Sequence, residues 1–277
     1  MENCLETKLK SAVQNDNLDT LYSFNINVDR TALNGNYLKL RINGTSITVR
    51  AKGNGHIATS IEGLTLDPQT SLEINSLTDI FISNDTDFKV NIDKKNTLIE
   101  LEIRVVKSDG SDVSARTPVV NAFDFTQVKT FAACNKVELF KTAYGNLLSI
   151  KDNTNLTYVY VAYTNVTGSI LNIPTSVDAI YVHNTGVSGS LEDFVSARVS
   201  AGQTSKNIIC NISNSEVTFG GQNYSILRVA WDDNGNKIVG YNNRNPASAT
   251  TVYCKGYSTQ SEAEAAFPGK TVIRVDA

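Results

Sequence analysis

Tyr163-Thr164-Asn165-Val166-Thr167-Gly168-Ser169-Ile170 is echoed by Asn184-Thr185-Gly186-Val187-Ser188-Gly189-Ser190-Leu191, and the offset from Tyr163 to Asn184 is 21 residues. Each stretch completes a frame with apolar residues at relative positions 1, 4 and 6. The frame occurs as Leu98, Leu101, Ile103; as Cys134, Val137, Leu139; as Leu156, Val159, Val161; and as Val177, Ile180, Val182. A weaker copy, Asn207, Cys210, Ile212, has a polar first slot. Position 9 holds a hydroxyl in Thr142, Thr164, Thr185 and Ser215, and position 11 holds Tyr144, Val166, Val187 and Val217.

Side chains alternate across a strand, so positions 4 and 6 turn to one face and positions 3, 5 and 7 to the other. A hydroxyl at position 9 can bond backbone groups in a turn, where leucine-rich repeats usually place Asn. Spacings of about 21–22 residues fall in the leucine-rich-repeat range. One such unit cannot bury its apolar face alone, so stacked neighbours supply the core. The frame therefore predicts an irregular leucine-rich-repeat-like solenoid over residues 96–222, with an outer helix near Leu191–Val199. Its outward slots hold Lys136, Glu138 and Phe140, then Tyr158, Tyr160 and Ala162, then Ala179, Tyr181 and His183. Stacking would make neighbours of Tyr160 and Tyr181. Phe140, Tyr158, Tyr160, Tyr181 and His183 are the candidate binding residues, since grouped aromatics suit sugar rings or protein side chains.

Upstream, residues 31–95 read as a small β-sandwich. Leu38, Leu40 and Ile42 alternate with polar residues, Asn43-Gly44 signals a type I′ hairpin, and Ile47 and Val49 return. Further strands are expected at 63–66, 71–74, 79–82 and 88–92. Residues 1–30 read as an arm, apolar at Leu5, Leu9, Val13, Leu18 and Leu21. Downstream, residues 223–277 read as a small α+β cap. Strands at 226–231, 238–241 and 251–254 precede a capping box, Thr259 to Glu262, then a helix and a last strand at 271–275. The expected fold class is thus mainly β.

A hydrophobic fraction of 41% is enough for a real core. Net charge is −3 without a basic stripe, so nucleic acid is not an expected partner. No stretch suits a membrane span, and the N-terminus lacks the apolar region of a signal peptide. Cys4, Cys134, Cys210 and Cys254 form no CxxC pair, and His56 and His183 have no metal-site spacing. Asp232-Asp233-Asn234-Gly235-Asn236 lacks the Glu that would complete a calcium loop. Gly53-Asn54-Gly55-His56 reads as a loop, and Glu100 and Glu102 as a solvated strand face. No cofactor and no catalytic residue are expected, and the chain reads as non-enzymatic.

The opening Cys4-Leu5-Glu6-Thr7-Lys8-Leu9-Lys10, with Val13 and Asn15-Asp16-Asn17-Leu18, resembles the start of proteins from phages and prophages of gut Bacteroidales, including virion proteins of crAss-like phages. Asn165-Val166-Thr167-Gly168-Ser169 and Gly186-Val187-Ser188-Gly189-Ser190 are similar to the repeat turns of those proteins. The resemblance implies a virion structural protein, made in the host cytoplasm. It would be a head fibre or decoration, or a tail accessory, attached to capsid or tail proteins through its N-terminal segment. Homo-oligomers and a host surface glycan or protein are the partners so implied. A bacterial leucine-rich-repeat adhesin is the alternative, followed by a carbohydrate-active enzyme.

Overall fold

Alternation of β-branched and polar residues sets the architecture, because each strand must hide one face. The computed structural model describes residues 22–276, so the arm residues Leu5, Leu9, Val13, Leu18 and Leu21 lie outside the described residues. The described chain is mainly β. Its first part runs β1 (Ser23–Val28), α1 (Arg30–Leu33), β2 (Tyr37–Gly44), β3 (Ile47–Lys52), β4 (Ile57–Ala58), α2 (Gly63–Leu66), β5 (Ser71–Ile74), β6 (Thr78–Ile82), β7 (Phe88–Asp93) and β8 (Leu98–Val106). Next come β9 (Phe123–Asp124), β10 (Lys136–Phe140), β11 (Ala143–Asn146), β12 (Tyr158–Tyr160), β13 (Asn165–Ser169), β14 (Ala179–Tyr181), β15 (Gly186–Ser190), α3 (Leu191–Ser200), β16 (Asn207–Asn211) and β17 (Glu216–Thr218). The last part holds β18 (Arg228–Trp231), β19 (Ile238–Tyr241), β20 (Thr251–Lys255), α4 (Gln260–Ala266) and β21 (Thr271–Arg274).

Three sheets result. The largest has twelve strands in the order β21-β20-β19-β18-β16-β14-β12-β10-β8-β2-β6-β4. Its middle strands, β8, β10, β12, β14 and β16, are parallel neighbours. Position 4 of the frame is in register across all five: Leu101 with Val137, Val137 with Val159, Val159 with Ile180, and Ile180 with Cys210. At position 6, Val161 donates its N–H to the Tyr181 carbonyl and Val182 to the Asn211 carbonyl, at 2.9 and 3.0 Å. A second parallel sheet, β17-β15-β13-β11-β9, collects the segments that follow these strands.

Chain reversal between the two parallel sheets uses one local device four times. Position 8 is left-handed in Lys141, Tyr163, Asn184 and Asn214, with φ of 65°, 55°, 54° and 52°. The hydroxyl beside it then closes the corner. Thr164 Oγ1 donates to the Val161 carbonyl at 2.5 Å and accepts from the Val166 N–H at 3.4 Å. Thr185 and Ser215 repeat both bonds with Val182 and Val187, and with Ile212 and Val217. Thr142 departs, donating instead to the Ile103 carbonyl of the preceding strand at 3.1 Å. Each hydroxyl thus satisfies backbone groups in a place that water reaches poorly. We expect Thr164→Val and Thr185→Val to cost about 1–2 kcal/mol each. Urea unfolding of the two variants checks this, and unchanged midpoints for both would remove the corner from the account.

Gly145, Gly168 and Gly189 face Val166, Val187 and Val217 of the next strand in the second parallel sheet. Gly168 has φ +107°, and a Cβ there would lie 2.5 Å from Asn146 Oδ1. Only glycine satisfies both demands.

A four-stranded antiparallel sheet, β1-β7-β3-β5, lies beside this assembly. Its apolar residues and those of β2, β6 and β8 belong to one buried cluster, which also includes the frame residues and extends to Ile238. The N-terminal sheets and the parallel strands β10 to β16 therefore share a core. Phe24 packs against Phe123 and Phe131, with ring centroids 5.9 and 4.8 Å away. Cys134 and Cys210 are buried free thiols in that core, where burial pushes their pKa up to about 12.

Three local readings need correction. Asn43-Gly44 makes no two-residue hairpin, because β2 and β3 belong to different sheets. Of the turn residues only Ser46 is left-handed, whereas a type I′ turn needs two such residues. Gly44 serves close approach instead, since a Cβ there would fall 2.8 Å from the Thr97 carbonyl oxygen. Gly63–Leu66 is a helical turn, not a strand, with the Gly63 N–H bonded to Ser60 Oγ. Ser23–Val28, inside the stretch read as an arm, is a strand paired with β7, and its Phe24, Ile26 and Val28 are buried.

At the other end, β18 to β21 extend the large sheet through antiparallel pairs and a final parallel β20–β21 pair. Thr259 caps α4 by accepting from the Glu262 N–H, while Glu262 accepts from the Ser258 N–H. A small second cluster, Val239, Val252, Cys254 and Ala263, seats α4 on this extension.

Candidate functional site

Register decides which side chains meet on the outward face of the large sheet. Lys136 opposes Tyr158, Glu138 opposes Tyr160, and Tyr160 opposes Tyr181. The Tyr160 and Tyr181 rings are 5.4 Å apart between centroids, and Tyr158 and Tyr181 are 5.7 Å apart. His183 stands edge-on to Tyr160 at 5.8 Å and to Tyr163 at 5.2 Å, and Tyr163 meets Phe140 at 5.8 Å. All five sequence-derived candidates, Phe140, Tyr158, Tyr160, Tyr181 and His183, thus fall in one continuous aromatic patch. Tyr163 completes it and was missed, because its side chain reaches the patch through a left-handed backbone that alternation does not anticipate.

Exposure within the patch is uneven. Phe140 and Tyr181 are only 8% and 7% exposed, so they form its floor. Tyr158, Tyr160, Tyr163 and His183 are half-buried and present ring area to solvent.

Cations surround the rings. Lys136 Nζ lies 5.3 Å from the Tyr158 centroid, Lys141 Nζ 4.9 Å from that of Tyr163, and the Arg104 guanidinium 5.8 Å from that of Phe140. Such contacts hold the rings in place and cost little ordering on binding. On this flank the charges are paired. Arg104 bonds Glu102 at 2.5 Å, Asp112 at 2.9 Å and also Glu138, while Lys136 pairs with Glu138 at 3.2 Å. Glu102 and Glu138 are both tied to Arg104, an arrangement that orders this flank of the surface.

The opposite flank is built by the loop after β19. There Arg244 Nη2 donates to Tyr181 Oη at 2.9 Å, and its guanidinium lies 5.6 Å from the Tyr181 centroid. Arg244 was not among the sequence candidates, because it sits 63 residues from Tyr181 and outside the repeated frame. Lys270 Nζ stiffens the loop by donating to the carbonyls of Pro246 and Ala249 at 2.9 and 2.6 Å.

Burial governs the titration of the patch. It raises the Tyr158 and Tyr181 phenols, pushes Tyr160 up to about 12, and lowers His183 below its ordinary 6.5. At neutral pH the patch therefore offers neutral phenol donors and a neutral imidazole. His183 Nδ1 is buried and has no hydrogen-bond partner among the described residues.

Among the described residues no three His, Cys, Asp or Glu side chains group to hold a metal, and no helix is long and apolar enough to cross a membrane. An open groove of about 790 Å³ lies elsewhere, lined by Thr126, Lys129, Thr130, Asn146, Leu148 and Asp152, and it lacks aromatic walls. Compared with known proteins, the sequence matches no family model, no curated protein and no solved structure.

Proposed function

We propose that the chain is a non-enzymatic binding protein that displays the aromatic patch. On this reading residues 96–222 form a short leucine-rich-repeat-like solenoid, joined to an N-terminal β-sandwich and closed by a small α+β cap. It is a virion component of the kind found in crAss-like phages, a head fibre, decoration or tail accessory. It assembles as a homo-oligomer on capsid or tail proteins through the segment bearing Leu5, Leu9, Val13, Leu18 and Leu21, and it meets a host surface glycan or protein.

The observation that carries the binding role is the packing of Tyr158, Tyr160, Tyr163 and His183 as half-exposed rings on in-register strands. Rigid aromatic area of this kind supplies binding energy at low entropic cost. The phage assignment rests on the resemblance of the N-terminal and turn sequences.

Two measurements test this reading. Tyr160→Ala should weaken binding of the purified chain to host cells by about tenfold, the usual worth of one central aromatic contact. Unchanged binding by a Tyr158→Ala/Tyr160→Ala double variant would overturn the binding role. Mass spectrometry of purified particles should find the chain in stoichiometric amount, and its absence would overturn the virion assignment.

A further inference from the structure

Charge is distributed unevenly around the aromatic patch. On the β8–β10 flank, Arg104 and Lys136 are neutralised by Glu102, Asp112 and Glu138. Farther along the same face, Lys39 pairs with Asp79 at 2.8 Å. On the opposite flank the balance fails. Arg244 has no carboxylate within ion-pair distance among the described residues, and it donates to the neutral Tyr181 hydroxyl.

Arg228 lies on the same side. Its strand pairs with β16 so that Arg228 opposes Ile209, which in turn opposes Ala179, two residues before Tyr181. Arg228 also has no carboxylate within ion-pair distance among the described residues.

Arg244 is exposed, yet it is oriented. Tyr181 Oη accepts from one of its nitrogens while the Tyr181 ring lies beneath the guanidinium. A guanidinium carries five N–H donors, so this bond leaves a donor edge open to solvent. An arginine held on an aromatic floor, with a free planar edge and no counter-charge among the described residues, is suited to clamping a carboxylate through two parallel hydrogen bonds. Tyr160 lies 5.4 Å from Tyr181, the ring that carries Arg244, and is tilted 35° to it, so it adds a second ring face to the same part of the patch. The two features together describe a ligand with a flat apolar ring face and a carboxylate attached to it.

We infer that the patch takes a carboxylated sugar, a hexuronate unit of an acidic oligosaccharide, with the pyranose ring on Tyr160 and its carboxylate on Arg244. This rests on the binding role proposed above and names its ligand class. Tyr181 acts as a positioning residue for Arg244, and Arg228 adds long-range attraction. Neutral sugars lack the group that Arg244 selects.

The test is titration calorimetry of the full chain with three probes: a galacturonate tetramer, a galactose tetramer and a sulfated galactose tetramer. The galacturonate tetramer is expected to bind most tightly, with an affinity that falls as salt is added. Arg244→Gln should cut that affinity by about tenfold to a hundredfold, the worth of a charge-assisted pair, and leave galactose binding unchanged. Tyr181→Phe should weaken galacturonate binding by a smaller factor.

Equal binding of all three probes, lost in Tyr160→Ala but not in Arg244→Gln, would overturn the carboxylate assignment and leave the aromatic binding role standing. Preference for the sulfated probe would overturn it as well. Failure of all three probes, alongside host-cell binding that still depends on Tyr160, would reject the sugar and keep the aromatic role. Loss of that Tyr160 dependence would reject both.

Discussion

Replacing Arg198 by alanine is expected to lower folding stability by about 3–5 kcal/mol, more than any substitution on the aromatic patch. Arg198 sits in the last turn of α3 and is 1% exposed, the largest fully buried side chain of the described residues. Its Nη1 donates to the Val177 carbonyl at 2.5 Å, and its Nη2 donates to Asp178 Oδ1 at 2.9 Å and to the Ser205 carbonyl at 3.3 Å. The guanidinium also lies 5.6 Å from the Trp231 ring centroid. Alanine would strand two backbone carbonyls and open a cavity beside Trp231. Asp178 is 51% exposed, so water can solvate it and the ion pair itself contributes the smaller share. Arg198→Met should recover part of the loss, because it keeps the stem volume. Denaturant unfolding with an unchanged slope measures both variants. A loss below about 1 kcal/mol for the alanine variant would show that the surrounding chain closes over the gap, against the cost expected for buried groups left unpaired.

Phe24→Ala should cost a similar amount, about 3–5 kcal/mol, and should displace a single unfolding transition as a whole. Phe24 belongs to β1, yet its ring packs on Phe123 and Phe131, which precede the parallel strand β10. Backbone and side-chain bonds fasten the same seam. The Asn27 N–H reaches the Ala122 carbonyl at 2.8 Å, and Asn25 and Gln127 exchange bonds at 2.9 and 3.0 Å. With β8 also hydrogen-bonded to both β2 and β10, the first sheets join the parallel strands without a break in core contacts among the described residues. Two resolved transitions, only one of them moved by Phe24→Ala, would contradict the shared core.

Much of the middle of this chain was legible before any coordinates, for a physical reason. Leu101, Val137, Val159, Ile180 and Cys210 answer to a local rule, strand alternation repeated at a near-constant offset, and those residues do stand in register. Thr164, Thr185 and Ser215 were equally readable, because a hydroxyl beside a corner has few partners other than backbone. The capping residue Thr259 belongs with them. Elsewhere the deciding contacts are distant in sequence. Asn43-Gly44 has every local mark of a hairpin, but the next strand joins a different sheet, where Ile47 pairs with Ile74 and Val49 with Ile92. Gly63–Leu66 is apolar enough for a strand and instead makes one helical turn. In the candidate site, Tyr160 and Tyr181 followed from the frame. Arg244 did not, since no periodicity links a loop after β19 to a tyrosine on β14. The depth of Tyr181 and Phe140 was also beyond reach, because burial depends on what the flanking loops bring.

The placement of β8 has a consequence for how the molecule is made. Strand β2 pairs with β8, whose partners run from Leu98 opposite Gly44 to Val106 opposite Tyr37, far later in the chain, so the large sheet cannot close on β2 until a ribosome has released that segment. From β10 onward the demand reverses, because each new parallel strand finds its partner in the unit synthesised just before it. Synthesis should therefore pass through one long wait, with unsatisfied strand edges exposed, followed by a rapid sequence of additions. The period of greatest risk for aggregation is therefore expected early, before the aromatic patch exists.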